Sequence, residues 1–154
     1  MNGKAFVLVV LGFVVVLTSQ VSAPTSPAWA SVREIQLRDF LERYVALSNA
    51  RDFEKLKDLY VPQPYVEQKG KVIEGDFGPN LAENMASWDE HHVEFGLMDI
   101  VSIESRSEEV VVEFEMEGTG KVWIFPITRT FTKELVLIPA NGQGWKISKD
   151  ITRE

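Results

Sequence analysis

The chain has 154 residues, of which 16 are basic, 23 acidic and none cysteine, and it carries a net charge of −7 with 45% hydrophobic residues. That acidic balance, with no basic stripe of interleaved aromatics, argues against nucleic acid and against anionic membrane surfaces as partners. Without cysteine there is neither a disulfide framework nor a lipidation site, so the folded part must be held by its core alone.

Lys4 precedes an uncharged apolar run from Ala5 to Leu17, and a Pro/Ser/Thr-rich stretch then closes on Ala28-Trp29-Ala30. One basic residue, a short apolar core and a small-x-small site make residues 1–30 a secretory signal peptide, cleaved after Ala30. Val21-Ser22-Ala23 is a weaker cleavage site because Pro24 follows it directly. A retained anchor is the alternative, but the run falls short of the roughly 20 residues of a membrane span. Cleavage leaves 124 residues, Ser31 to Glu154, and removes Lys4, which takes the net charge to −8. One domain suffices for that length. The expectation is an exported protein, periplasmic or secreted, with no stable membrane anchor after processing.

Ser31 and Glu34 read as a capping box at the start of a first helix. Leu37, Phe40, Leu41, Tyr44, Val45, Leu47 and Ser48 fall at three- and four-residue spacings and give that helix one buried stripe. Asn49 to Arg51 interrupt the period. Asp52 then caps a second, shorter helix with Phe53, Leu56, Leu59 and Tyr60 inward, and Pro62 and Pro64 stop it. Tyr65 to Gln68 and Val72 to Glu74 form a small hairpin around Lys69-Gly70-Lys71. A third helix opens at Gly78-Pro79 and buries Leu81, Met85 and Trp88.

From His92 the period changes to two. Val93, Phe95 and Leu97 alternate with polar positions, and a bulge is expected near Gly96, where the phase breaks. Val110, Val112, Phe114 and Met116 face one way and Glu113, Glu115 and Glu117 the other, so this strand has one wet side. Gly118-Thr119-Gly120 is expected to turn the chain into Val122 to Thr132, and Asn141 to Gly144 into Trp145 to Ile151. The layout is α+β: three N-terminal helices packed on a curved, mostly antiparallel sheet that forms a cone with an internal cavity.

The stretch from Ser31 to Glu154 resembles the nuclear transport factor 2-like superfamily, the cystatin-like α+β cone that includes ketosteroid isomerase. The resemblance is carried by Arg43-Tyr44-Val45, Asn49, Asp52, Leu56 and Tyr60, and by Gly144-Trp145-Lys146-Ile147. For the isomerase branch it implies a tyrosine, a carboxylate base and a protonated acid, which fall on Tyr44, Gln68 and Thr128. Two of the three groups cannot do that chemistry, which favours a binding or accessory module over a lyase or isomerase.

Other polar residues add little on their own. His91 and His92 are adjacent, so at most one can face a cavity, and the solvated or helix-capping reading is preferred. Asp89, Glu90, His91 and His92 are consecutive rather than spaced on one face, so no metal site is expected, and no cofactor is implied. Asp99 and Asp150 read as surface residues.

The cavity is expected to be lined by Tyr44, Tyr60, Trp88, Phe114 and Met116, with Arg129 as the polar anchor for a small apolar or weakly acidic molecule. Trp123, Phe125 and Ile127 would stand in water unless Leu135 to Pro139 or a second copy covers them, so a homodimer through these three, or a purely structural dimerisation module, stays open.

Overall fold

The computed structural model describes residues 27–141 and 144–154. The apolar run and most of the expected signal segment lie outside the described residues. The helix α1 spans Pro27–Ala50. It opens before the expected capping box, with Pro27 in the first turn where a missing donor costs nothing, so Ser31 does not begin it. Leu37, Leu41, Tyr44, Val45 and Ser48 are its buried face. Among the described residues no helix is long and apolar enough to cross a membrane.

The second helix, α2, is only Phe53–Lys57, and Asp52 caps it by accepting from the Lys55 backbone N–H. Tyr60 is not on this helix: it starts strand β1 (Tyr60–Gln68), which runs through both prolines. The prolines cost β1 two ladder donors, and its register against the last strand is irregular between Tyr60 and Tyr65. Lys69 and Gly70, at φ of +53° and +74°, make the two-residue turn into β2 (Lys71–Val72). Helix α3 (Phe77–Glu90) buries Phe77, Leu81 and Met85.

Three long strands follow, β3 (Glu94–Ser105), β4 (Val110–Val122) and β5 (Phe125–Pro139), and then β6 (Trp145–Arg153). The six-stranded sheet has the order β2-β1-β6-β5-β4-β3, antiparallel throughout except where β1 meets β6. Its inner face and the helices enclose one core that includes Leu37, Leu41, Leu56, Val112, Phe114, Leu135 and Ile147.

Two turn expectations are corrected. The register of β3 on β4 shifts between Leu97 and Asp99 and again between Ile100 and Ser102, while Gly96 stays paired with Glu117. The bulges therefore lie where Met98 and Val101 break the alternation. Gly118-Thr119-Gly120 does not turn; β4 continues to Val122 and the chain reverses at Trp123-Ile124. The glycines serve close packing instead. A Cβ on Gly120 would lie 3.1 Å from Val93 Cγ2 and 3.2 Å from the His91 carbonyl oxygen, and one on Gly118 would lie 3.3 Å from the Phe131 ring.

Candidate functional site

Two cavities meet at Tyr44 and Lys133. The larger, about 540 Å³, opens between the C-terminal turns of α1 and α3 and the inner faces of β4 and β5, with Trp88, Phe95, Met116 and Phe131 as its apolar wall. The aromatic part of that wall is ordered edge to face: Trp88 to Phe95 at 5.0 Å and Phe95 to Phe131 at 6.2 Å between ring centroids. The smaller cavity, about 50 Å³, lies on the β1 and α3 side and is bounded by Tyr60, Phe77 and Asn84. It has room for water and little more.

A buried polar cluster separates the two. Lys133 Nζ donates to Tyr44 Oη at 3.0 Å and to Asp150 Oδ1 at 2.5 Å, and Tyr60 Oη donates to Asp150 Oδ2 at 2.7 Å. Burial opposes the Lys133 charge, yet the Asp150 carboxylate and the Tyr44 oxygen outweigh that cost and hold the ammonium above its ordinary range. Burial raises Tyr44, partly offset by Lys133, and burial together with Asp150 raises Tyr60 well above the usual phenol. Both tyrosines are therefore neutral donors at neutral pH. Tyr60 has committed its only proton to Asp150, and Tyr44 accepts from Lys133. The Tyr44 proton has no such commitment; Tyr60 Oη lies 3.5 Å away, at the limit of a hydrogen bond. It is the free donor on the floor of the larger cavity.

Of the expected lining, Tyr44, Trp88 and Met116 border the larger cavity, and Tyr60 borders the smaller. Phe114 borders neither; it is fully buried in the core. Arg129 shares the inward phase of β5 with Phe131 and Lys133 but sits at the rim, its side chain 67% exposed and paired with Glu154 at 3.5 Å. The register passes through Pro126 without a bulge, so Thr128 is out of phase with these three and meets Thr119 across the β4–β5 pair. Gln68 borders both cavities. His91 closes α3, its ring Nδ1 facing the Ser87 carbonyl at 2.9 Å.

Lys133 and Asp150 are the residues that sequence reasoning missed. Asp150, read as a surface residue, is 4% exposed. Lys133 carried a usable signal, since it stands in the apolar phase of β5 between Phe131 and Leu135. Asp150 carried none, because an irregularity between Val136 and Leu137 lets β6 point both Ile147 and Asp150 inward.

At the tip of the β4–β5 hairpin, beyond Val122 and Ile127 on the cavity border, Trp123 and Phe125 are uncovered, 93% and 66% exposed. Leu135 to Pro139 cannot cover them because it is the far end of the same strand. Two clamps hold the opposite lip. Asn49 exchanges hydrogen bonds of 2.8 Å with the backbone N–H and carbonyl of Phe95, and the Arg51 guanidinium donates to the carbonyls of Ser48, Trp88 and Val93.

The profile of the nuclear transport factor 2 domain matches residues 37–154. No curated protein matches the chain. Among solved structures it is similar to a candidate scytalone dehydratase from Novosphingobium aromaticivorans, at 14% identity and a TM-score of 0.68 over 82% of this chain and 87% of that one. A protein of unknown function from Mycobacterium tuberculosis aligns at 18% identity and a TM-score of 0.66, over 86% and 76%. A ketosteroid isomerase-like protein from Erwinia carotovora aligns at 14% and 0.60, over 77% and 93%. These likenesses establish the fold.

Proposed function

The chain belongs to the nuclear transport factor 2 domain family over residues 37–154, and from that premise we propose that it is an exported module of the cell envelope that binds a small, largely apolar molecule in the larger cavity. The carrying observation is the pairing of an apolar wall, Trp88, Phe95, Met116 and Phe131, with the uncommitted Tyr44 proton on the floor. Such a site fits a body without charge that presents one carbonyl or hydroxyl oxygen to Tyr44, since few placed polar groups orient a ligand in an apolar pocket. Thermal-shift screening of apolar ketones and phenols tests this reading. Binders should raise the melting temperature of the unsubstituted protein, and Tyr44→Phe should reduce that gain while leaving the unliganded protein folded. No binders, or binders indifferent to Tyr44→Phe, would refute it. Export rests on the Lys4 to Ala30 pattern and is checked by mass spectrometry, with Ser31 as the expected first residue of the mature protein.

One observation favours a second, catalytic reading. Because the Ser87 carbonyl can only accept, His91 carries its proton on Nδ1 and leaves Nε2 as a base at the edge of the same cavity. Paired with the Tyr44 donor, it could serve a lyase or isomerase. Under that reading His91→Gln abolishes turnover of a bound ligand without weakening its binding; under the first it changes neither.

A further inference from the structure

In a chain where acids outnumber bases, the larger cavity is bordered by four cations, Lys69, Lys121, Arg129 and Lys133, against one carboxylate, Glu154. Lys133 is neutralised from below by Asp150, so the unbalanced positive charge belongs to the rim. There the three remaining cations come from three different places: Lys69 from the β1–β2 turn, Lys121 from the end of β4 and Arg129 from β5. The Lys69 backbone is fixed beside the end of β6 by its N–H bond of 3.0 Å to the Thr152 carbonyl. Glu154 Oε1 lies 2.5 Å from Lys69 Nζ and 3.5 Å from Arg129 Nη1, one carboxylate oxygen between two cations.

The geometry points to an amphipathic carboxylate as the ligand, its head taking the place that the Glu154 side chain now holds between Lys69 and Arg129 and its apolar body lying against Phe95, Met116 and Phe131. Glu154 is thus an internal stand-in for the ligand head and competes with it. This inference rests on the cavity reading above and adds the charge and the orientation of the ligand. The converging cations raise the local concentration of anions at the mouth despite the negative charge of the molecule as a whole, and salt weakens that attraction because all three are exposed.

The test compares decanoate with decanol, equal in chain length and different in head, titrated into the full chain with methionine methyl groups labelled with carbon-13. Met116 reports the cavity, and Met98, half-exposed outside both cavities, is the internal control. Decanoate should shift Met116 and not Met98, and should bind more tightly than decanol. Lys69→Met and Arg129→Met should each weaken decanoate about threefold, the scale of an exposed ion pair, and leave decanol unchanged. Glu154→Gln should strengthen decanoate by a similar factor. If both probes move Met116 with equal affinity, or the rim substitutions do not discriminate between them, the carboxylate assignment is wrong and the cavity reading stands. If neither probe moves Met116, the carboxylate assignment falls, and the cavity reading is decided by the ketone and phenol screen with Tyr44→Phe.

Discussion

At the scale of single residues, the Lys133–Asp150 pair decides how the interior tolerates charge. Asp150→Leu leaves an ammonium buried beside two phenols, and removing one partner of a buried pair costs about 3–5 kcal/mol. The double variant Lys133→Met with Asp150→Leu should recover most of that loss, because no charge is then stranded; chemical denaturation of both variants measures it. The same cluster fixes the alkaline limb of stability. Lys133 is raised in the fold, so its contribution is whole below the unfolded lysine value near pH 10.4 and is lost as pH climbs towards the folded one. Tyr44 and Tyr60, also raised, act in the same direction, since the unfolded phenols ionise near pH 10 while the buried ones hold their protons. Melting temperature should therefore fall from about pH 10 upward, and tyrosinate absorbance should rise together with unfolding. Early titration of all three tyrosines in the folded protein would contradict the cluster.

At the scale of elements, the end of β4 packs closely beneath the α3–β3 corner on the site's border. Gly120→Ala forces a methyl against Val93 and the His91 carbonyl, both attached to backbone that the Lys121 N–H bond of 2.7 Å to His91 holds in place. Overpacking of this kind costs about 1–3 kcal/mol, and it should also open the cavity lip, read as faster amide exchange around Val93. Elements with a clean period were legible in the sequence: the α1 stripe, the alternation of β4 and the Asp52 cap follow directly from spacing. What was not legible depended on partners distant along the chain. The glycines of β4 look like a turn until Val93 and Phe131 are seen beside them, and Tyr60 looks helical until β6 supplies a strand to pair with. Asp150 looks exposed until the unpaired Ser148, a bulge in β6 opposite Val136 and Leu137, changes the phase of that strand. The resemblance placed Tyr44 at the site, but it could not show that its polar partner is a lysine from β5.

At the scale of the whole molecule, the β4–β5 hairpin projects Trp123 and Phe125 into solvent, and Trp123 adopts a φ of +63°, a conformation that costs a bulky side chain about 1–2 kcal/mol. We propose that a second copy covers this tip and Ile127. Burial of these three side chains returns several kcal/mol at about 25 cal/mol per Å², before association costs. Sedimentation should then find a dimer at micromolar concentration and a monomer for Trp123→Glu; an unsubstituted protein that is already monomeric removes the idea. The order of the sheet carries a further consequence, for the timing of folding. β6 stands between β1 and β5, so of the six strands the one made after all the others is the one that joins the two halves of the sheet. Until it emerges, β1 and β2 on one side and β3 to β5 on the other have no common partner, and a chain ending before Trp145 should show no cooperative melt. Long-range closure of this kind is slow. A chain whose two half-sheets wait for β6 is one that can still be threaded through a narrow channel while β6 is unmade, before the cone locks.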